Sequence, residues 1–75
     1  MNSTPEQQQI KNTMRARLME KGLTVEGWAR EQGYGEGVAA KIVVRFVGKN
    51  KRPKGPVATK IIEGLETETG LRLCG

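Results

Sequence analysis

The chain has 75 residues, room for one domain of three or four short helices and too little for an enclosed, substrate-sized cavity. It carries 13 Lys and Arg against 8 Asp and Glu, a formal net charge of +5, with no histidine and a single cysteine, Cys74. That composition excludes His/Cys metal sites, Ser/His and Cys/His catalytic pairs and an internal disulfide, so neither an enzyme nor a bound cofactor is expected.

Residues 1–9 are polar and lack the apolar stretch of a signal region, and no run approaches the roughly 20 apolar residues of a membrane span. A cytoplasmic protein without a membrane partner is expected. The first helix is predicted over residues 4–21, with Thr4 as N-cap, Pro5 in the first helical position and Glu6 at the positive end of the helix dipole. Ile10, Met14 and Leu18 recur every four residues as one narrow apolar stripe, and Gly22 is the expected stop. Residues 1–4 are expected to fray.

Thr24 reads as the cap of a second helix, with Leu23 just outside it and Val25, Trp28 and Ala29 on one face. Gly33 ends that helix after barely two turns, so packing of Trp28 has to hold it in place. Residues 34–37 form a turn, and a third helix is predicted from about 36 to 46. Its apolar positions are Val38, Ala39, Ile42, Val43 and Phe46. The β-branched run Ile42, Val43, Val44 also admits a strand, but the spacing fits the helical period better than strict alternation.

Residues 48–55 read as a loop, with two glycines, Pro53 and four cations. Pro56 then opens a fourth helix whose face is Val57, Ile61, Ile62 and Leu65, with an irregular last turn expected at Gly64. Residues 67–75 read as a tail in which Leu71 and Leu73 either pack back on the core or meet a partner chain. The expected fold is all-α: a single helix-turn-helix domain over residues 1–75, built of four short helices with a basic loop before the last.

Charge is unevenly placed along this frame. Residues 37–62 hold Lys41, Arg45, Lys49, Lys51, Arg52, Lys54 and Lys60 with no acid, whereas residues 1–36 balance five acids with five bases. Such a segment is the expected electrostatic footprint for a polyanion, the plain alternative being a solvated basic loop.

The second and third predicted helices carry the informative constellation. A helix-turn-helix needs a small residue where its helices cross, a glycine at the turn and apolar residues at fixed offsets beyond it. Ala29, Gly33, Ala39 and Ile42 supply that pattern, with Tyr34 plugging the turn. An ordinary antiparallel helix pair is the alternative.

From about residue 10 to 62 the chain resembles the small phage-encoded helix-turn-helix regulators of Mu-like phages, the Ner-like group. The resemblance rests on Gly22, Leu23, Thr24, Trp28, Ala29, Gln32, Gly33 and Tyr34, within the stretch LMEKGLTVEGWAREQGYGEGVAAKIV. Autorepressors that accompany phage anti-CRISPR genes have a similar architecture. The resemblance implies a transcriptional regulator that binds operator DNA and controls phage genes.

On the third helix the exposed set is expected to be Glu36, Gly37, Ala40, Lys41 and Arg45. Lys41 can donate to guanine O6 and N7, Glu36 can accept from cytosine N4, and the small residues Gly35, Gly37 and Ala40 allow close approach to a groove. Each has a plainer alternative: a solvated face for Lys41 and Arg45, a helix cap for Glu36, and turn formation for the glycines. Lys49, Lys51, Arg52 and Lys54, on a loop, suit phosphates rather than bases, and Thr24 caps a helix end that can also meet a phosphate. Trp28, Tyr34 and Phe46 are expected in the core rather than as a stacking platform for single strands.

The expected function is sequence-specific duplex binding for transcription control, most simply repression, with excisionase-like bending as a variant. A protein-interaction module inhibiting a host factor and an RNA binder are the other readings. The expected partner is a double-stranded operator with an inverted repeat, bound by a homodimer. Leu71 and Leu73, helped by Leu65 or an outward Met19, are the candidate dimer contacts.

Overall fold

A computed structural model describes residues 5–35 and 37–75. Four helices follow in order, α1 (Pro5–Glu20), α2 (Val25–Glu31), α3 (Val38–Phe46) and α4 (Pro56–Thr69), giving a small all-α domain. The N-capping role of Thr4, the fraying of residues 1–4 and the groove role of Glu36 fall outside the described residues.

Along α1 the buried residues are Gln7, Lys11, Met14 and Leu18, while Ile10 is only half-buried. The expected stripe therefore holds in its second half. In its first half a different face turns inward, because the chain after α3 passes close by: a Cβ at Gly48 would stand 2.6 Å from the Gln7 Cα. Lys11 is buried on that face as well. α1 closes at Gly22, where Leu23 N donates to Leu18 O at 2.9 Å and Gly22 N to Met19 O at 2.9 Å.

Thr24 caps α2 as expected, its Oγ1 accepting from Gly27 N at 3.0 Å. At the far end Tyr34 N donates to Ala29 O at 2.9 Å and Gly33 N to Arg30 O at 3.1 Å, with Gly33 left-handed at φ 89°. The helix thus stops after seven residues and the chain reverses into α3.

α3 begins at Val38 rather than near 36, because Gly37 precedes it at φ 78°, a conformation outside the helix. Residues 42–44 are helical. The strand alternative is overturned because the helical period buries Ala39 and Val43 and half-buries Val38, Ile42 and Phe46 on one side.

Two expectations for α4 are corrected. The helix runs on to Thr69, well past Gly64, without an irregular turn. Gly64 is there for space: a Cβ would lie 2.6 Å from Trp28 Cζ2, so its absence lets the indole lie against the α4 backbone. Val57, expected on the buried face, is 51% exposed, and the face is Ile61, Ile62, Leu65 and Thr69. α4 has no basic residue in its last turn, and α1 and the turn that follows it supply the missing cations. Arg17 Nη1 donates to Thr69 O at 3.1 Å, and Lys21 Nζ to Glu68 O at 2.6 Å and to Glu68 Oε2 at 2.8 Å.

The tail folds back on its own chain. Leu73 and Cys74 are buried in the core cluster, Gly48 N donates to Leu73 O at 2.6 Å, and Gly75 N to Lys49 O at 3.0 Å. Leu73, and with it fully buried Leu65, is therefore removed from the list of dimer contacts. Among the described residues no helix is long and apolar enough to cross a membrane.

Candidate nucleic-acid interface

α3 is the element that both packs and presents. Its inner side joins Trp28 and Ala29 of α2 and Ile61, Ile62 and Leu65 of α4 in one core cluster. The Trp28 and Tyr34 rings lie 6.2 Å apart, tilted by 34°, and together fill the α2–α3 corner. Trp28 is core, as expected, and Tyr34 and Phe46 are half-buried against it. With the inner side so engaged, Ala40, Lys41, Val44 and Arg45 face outward.

Two recesses flank that outward face. One, of about 350 Å³, lies between α1, the start of α2 and α3, and its wall includes Arg15, Met19, Leu23, Thr24, Val25, Ala40 and Val44. The other, of about 710 Å³ and shallow, runs along α3 past Val38, Lys41, Ile42 and Arg45. Ala40 and Val44 line both, so they form the crest of the helix.

Of the residues read from sequence as groove contacts, Ala40, Lys41 and Arg45 share this face. Gly35 is exposed before it, and an added Cβ would meet only Val38 Cγ2 at 3.6 Å. Gly37 has a structural task first, since its φ of 78° ends the turn. Thr24 lines the first recess, but its hydroxyl already accepts from Gly27 N.

The basic loop leaves the C-terminal end of α3, with Lys49 N donating to Phe46 O at 3.0 Å. Lys49, Lys51 and Lys54 are exposed on it. Arg52 departs from the expectation of an unfixed loop cation. Its Nη2 and Nη1 donate to Glu66 Oε1 at 2.8 Å and Oε2 at 3.0 Å, and Nη1 also donates to Cys74 O at 3.0 Å. Glu66 Oε2 accepts from Leu73 N at 3.0 Å as well, so one carboxylate joins loop, α4 and tail. The Arg52 hydrogen bonds hold the Glu66 carboxyl below the usual range against its partial burial, and the pairing raises the Arg52 guanidinium further. Burial pushes the neighbouring Cys74 thiol up.

Three participants are missing from the sequence reading. Val44, 60% exposed, lies one helical turn beyond Ala40, and that spacing was the available signal. Arg15 reaches the first recess from α1, which no local pattern reveals. Glu26 of α2 accepts from Gly37 N at 3.3 Å and so serves the start of α3, which has no side-chain cap and no acid in its first turn. The other oxygen of Glu26, Oε1, is buried without a hydrogen-bond partner among the described residues.

The class defined by fold and surface is a small all-α domain whose α2–turn–α3 unit presents a mixed basic and apolar helix face. Comparison with known protein families, with curated proteins and with solved structures gave no match.

Proposed function

We propose that the protein is a sequence-specific duplex-DNA-binding regulator of transcription, a repressor of phage or prophage genes acting in the cytoplasm. The observation that carries this reading is the face of α3. One side of that helix is locked into the core, and the other holds Lys41 and Arg45 beside the small and apolar Ala40 and Val44, with little bulk to keep a groove away. A helix of this width fits the major groove, where Lys41 is placed to donate to guanine. Lys49, Lys51 and Lys54 follow immediately, on a loop suited to phosphates, and Arg15 flanks the face on its other side. The resemblance to Ner-like regulators points the same way and supplies the phage context.

The operator proposed is an inverted repeat occupied by two chains. Each α3 reads only a few base pairs, and two copies related by a two-fold axis favour half-sites about 34–36 Å apart. Binding should be strongly salt-dependent: log K against log salt is expected to fall with a slope of about −4 to −8, for roughly four to eight neutralised phosphates.

One observation favours a second reading. Met19, 70% exposed, and Val44 line the same recess, an apolar surface of the kind a protein partner covers. Titration of the protein into labelled duplex at several salt concentrations separates the two. A slope near zero, or no duplex binding at low salt, would replace the DNA reading by the protein-interaction one.

A further inference from the structure

Resting on the DNA-binding reading, we propose that Ala40 and Val44 read the 5-methyl groups of two thymines in each half-site. The two side chains are four residues apart on one helix, about 6 Å along its axis. Successive bases on a strand are about 3.4 Å apart, so the crest of α3 spans two base-pair steps. Both residues are exposed and line the recesses on either side of α3, which makes them the part of the helix that enters a groove first.

The chemistry selects the occupant. Of the groups that base edges display in the major groove, the thymine methyl is the one that projects apolar bulk. An Ala–Val crest set against the oxygens and amines of other bases would strip them of water and return no hydrogen bond. Set against methyl groups, it removes apolar surface from water on both sides. Charge brings the occupant to the crest: Lys41 and Arg45 each follow a crest residue directly, Arg15 stands at the edge of the recess, and residues 37–62 contain no acid. The one carboxylate that lines this recess, Glu26, has one oxygen engaged by Gly37 N at the start of α3 and the other buried.

The test begins with duplexes selected from a randomised library by the intact protein. In the selected site each thymine is then replaced singly by deoxyuridine, which deletes the methyl and leaves every hydrogen-bonding group in place. Two positions per half-site, two steps apart, are expected to lose about fourfold in affinity each, the effect of exposing one buried methyl-sized group. Val44→Ala, which shortens the side chain at an exposed position, is expected to weaken the thymine preference at one of them and leave the other unchanged. Selective binding that ignores every thymine-to-uracil exchange would overturn the proposal and leave the DNA reading standing. So would a pattern of uracil sensitivity unchanged in both Val44→Ala and Ala40→Gly. Absence of duplex binding to any sequence at low salt would instead overturn the DNA reading itself.

Discussion

Gly64 of α4 and Trp28 of α2 are in direct contact, the glycine Cα face lying where any Cβ would come within 2.6 Å of Cζ2 and 2.9 Å of Cη2. The indole is the main apolar anchor of a seven-residue helix that could not persist alone. The position of α2, and through it the turn into α3, thus depends on a missing methyl group on a different helix.

Gly64→Ala should therefore destabilise the protein although it favours the helix. Alanine is preferred over glycine inside a helix by about 1 kcal/mol. Overpacking a core contact costs typically about 1–3 kcal/mol, and here the neighbour is a rigid, buried ring. A net loss of roughly 1 kcal/mol is expected in urea unfolding, with Trp28 fluorescence altered in the native state. A more stable variant with unchanged fluorescence would show that the indole gives way freely.

Glu66 links stability to pH. Its carboxyl is held below the usual range, so the folded state favours the ionised form more than the unfolded chain does. The contribution is complete above the ordinary glutamate value of about 4.3 and is lost as pH falls through the lower folded-state value. Thermal unfolding of the wild type should drop across that acid window. Glu66→Gln should be less stable at neutral pH and should lose part of the drop. Parallel curves for the two proteins would show that Glu66 does not contribute.

Arg52 and Lys51 are neighbours in sequence and should behave in opposite ways. Arg52→Ala removes the donor that joins Glu66 to the Cys74 carbonyl, so its main effect is expected on melting temperature. Lys51→Ala should leave the melting temperature unchanged and lower the salt slope of duplex binding by about one, on specific and random DNA alike. An equal loss of salt slope in both variants would return Arg52 to the phosphate contacts.

Lys41→Ala should cost about 1–3 kcal/mol on the selected operator and relax the base preference at one position per half-site. Competition with random duplex provides the reading. Equal weakening on both DNAs would make Lys41 a phosphate ligand rather than a reader of guanine.

Free protein should be monomeric and should pair only on DNA. A stable interface buries about 1,200–2,000 Å² in total. With Leu65 and Leu73 inside their own core, the exposed large apolar side chains among the described residues are Met19, Val44 and Val57. Met19 and Val44 share the recess beside α3, and Val57 stands at the start of α4. Sedimentation should show one chain per particle alone and two per inverted repeat. A free dimer, or saturation at one chain per site, would contradict this.

Much of the frame was legible because it is written in local chemistry. Thr24, Gly22, Gly33 and Pro56 act on the backbone within a few residues, and helix boundaries follow from them. The 38/39/42/43/46 spacing gives α3 an inner and an outer side, which leaves Ala40, Lys41 and Arg45 outside whatever the helix packs against.

Other features arise between segments far apart in sequence, and only the folded chain decides them. Gly64 reads as a helix weakness until Trp28 is seen against it. Arg52 reads as one of four loop cations until Glu66, 14 residues on, and the Cys74 carbonyl close around it. Leu73 reads as a possible dimer contact until the loop after α3 takes up the tail by hydrogen bonds at Gly48 and Gly75. Arg15 has no role legible in the sequence, and only the packing of α1 beside α3 brings it to a shared recess. The physical reason is the same in each case. Backbone preference and periodicity act over about one helical turn, whereas space, ion pairing and burial depend on which surfaces the fold brings together.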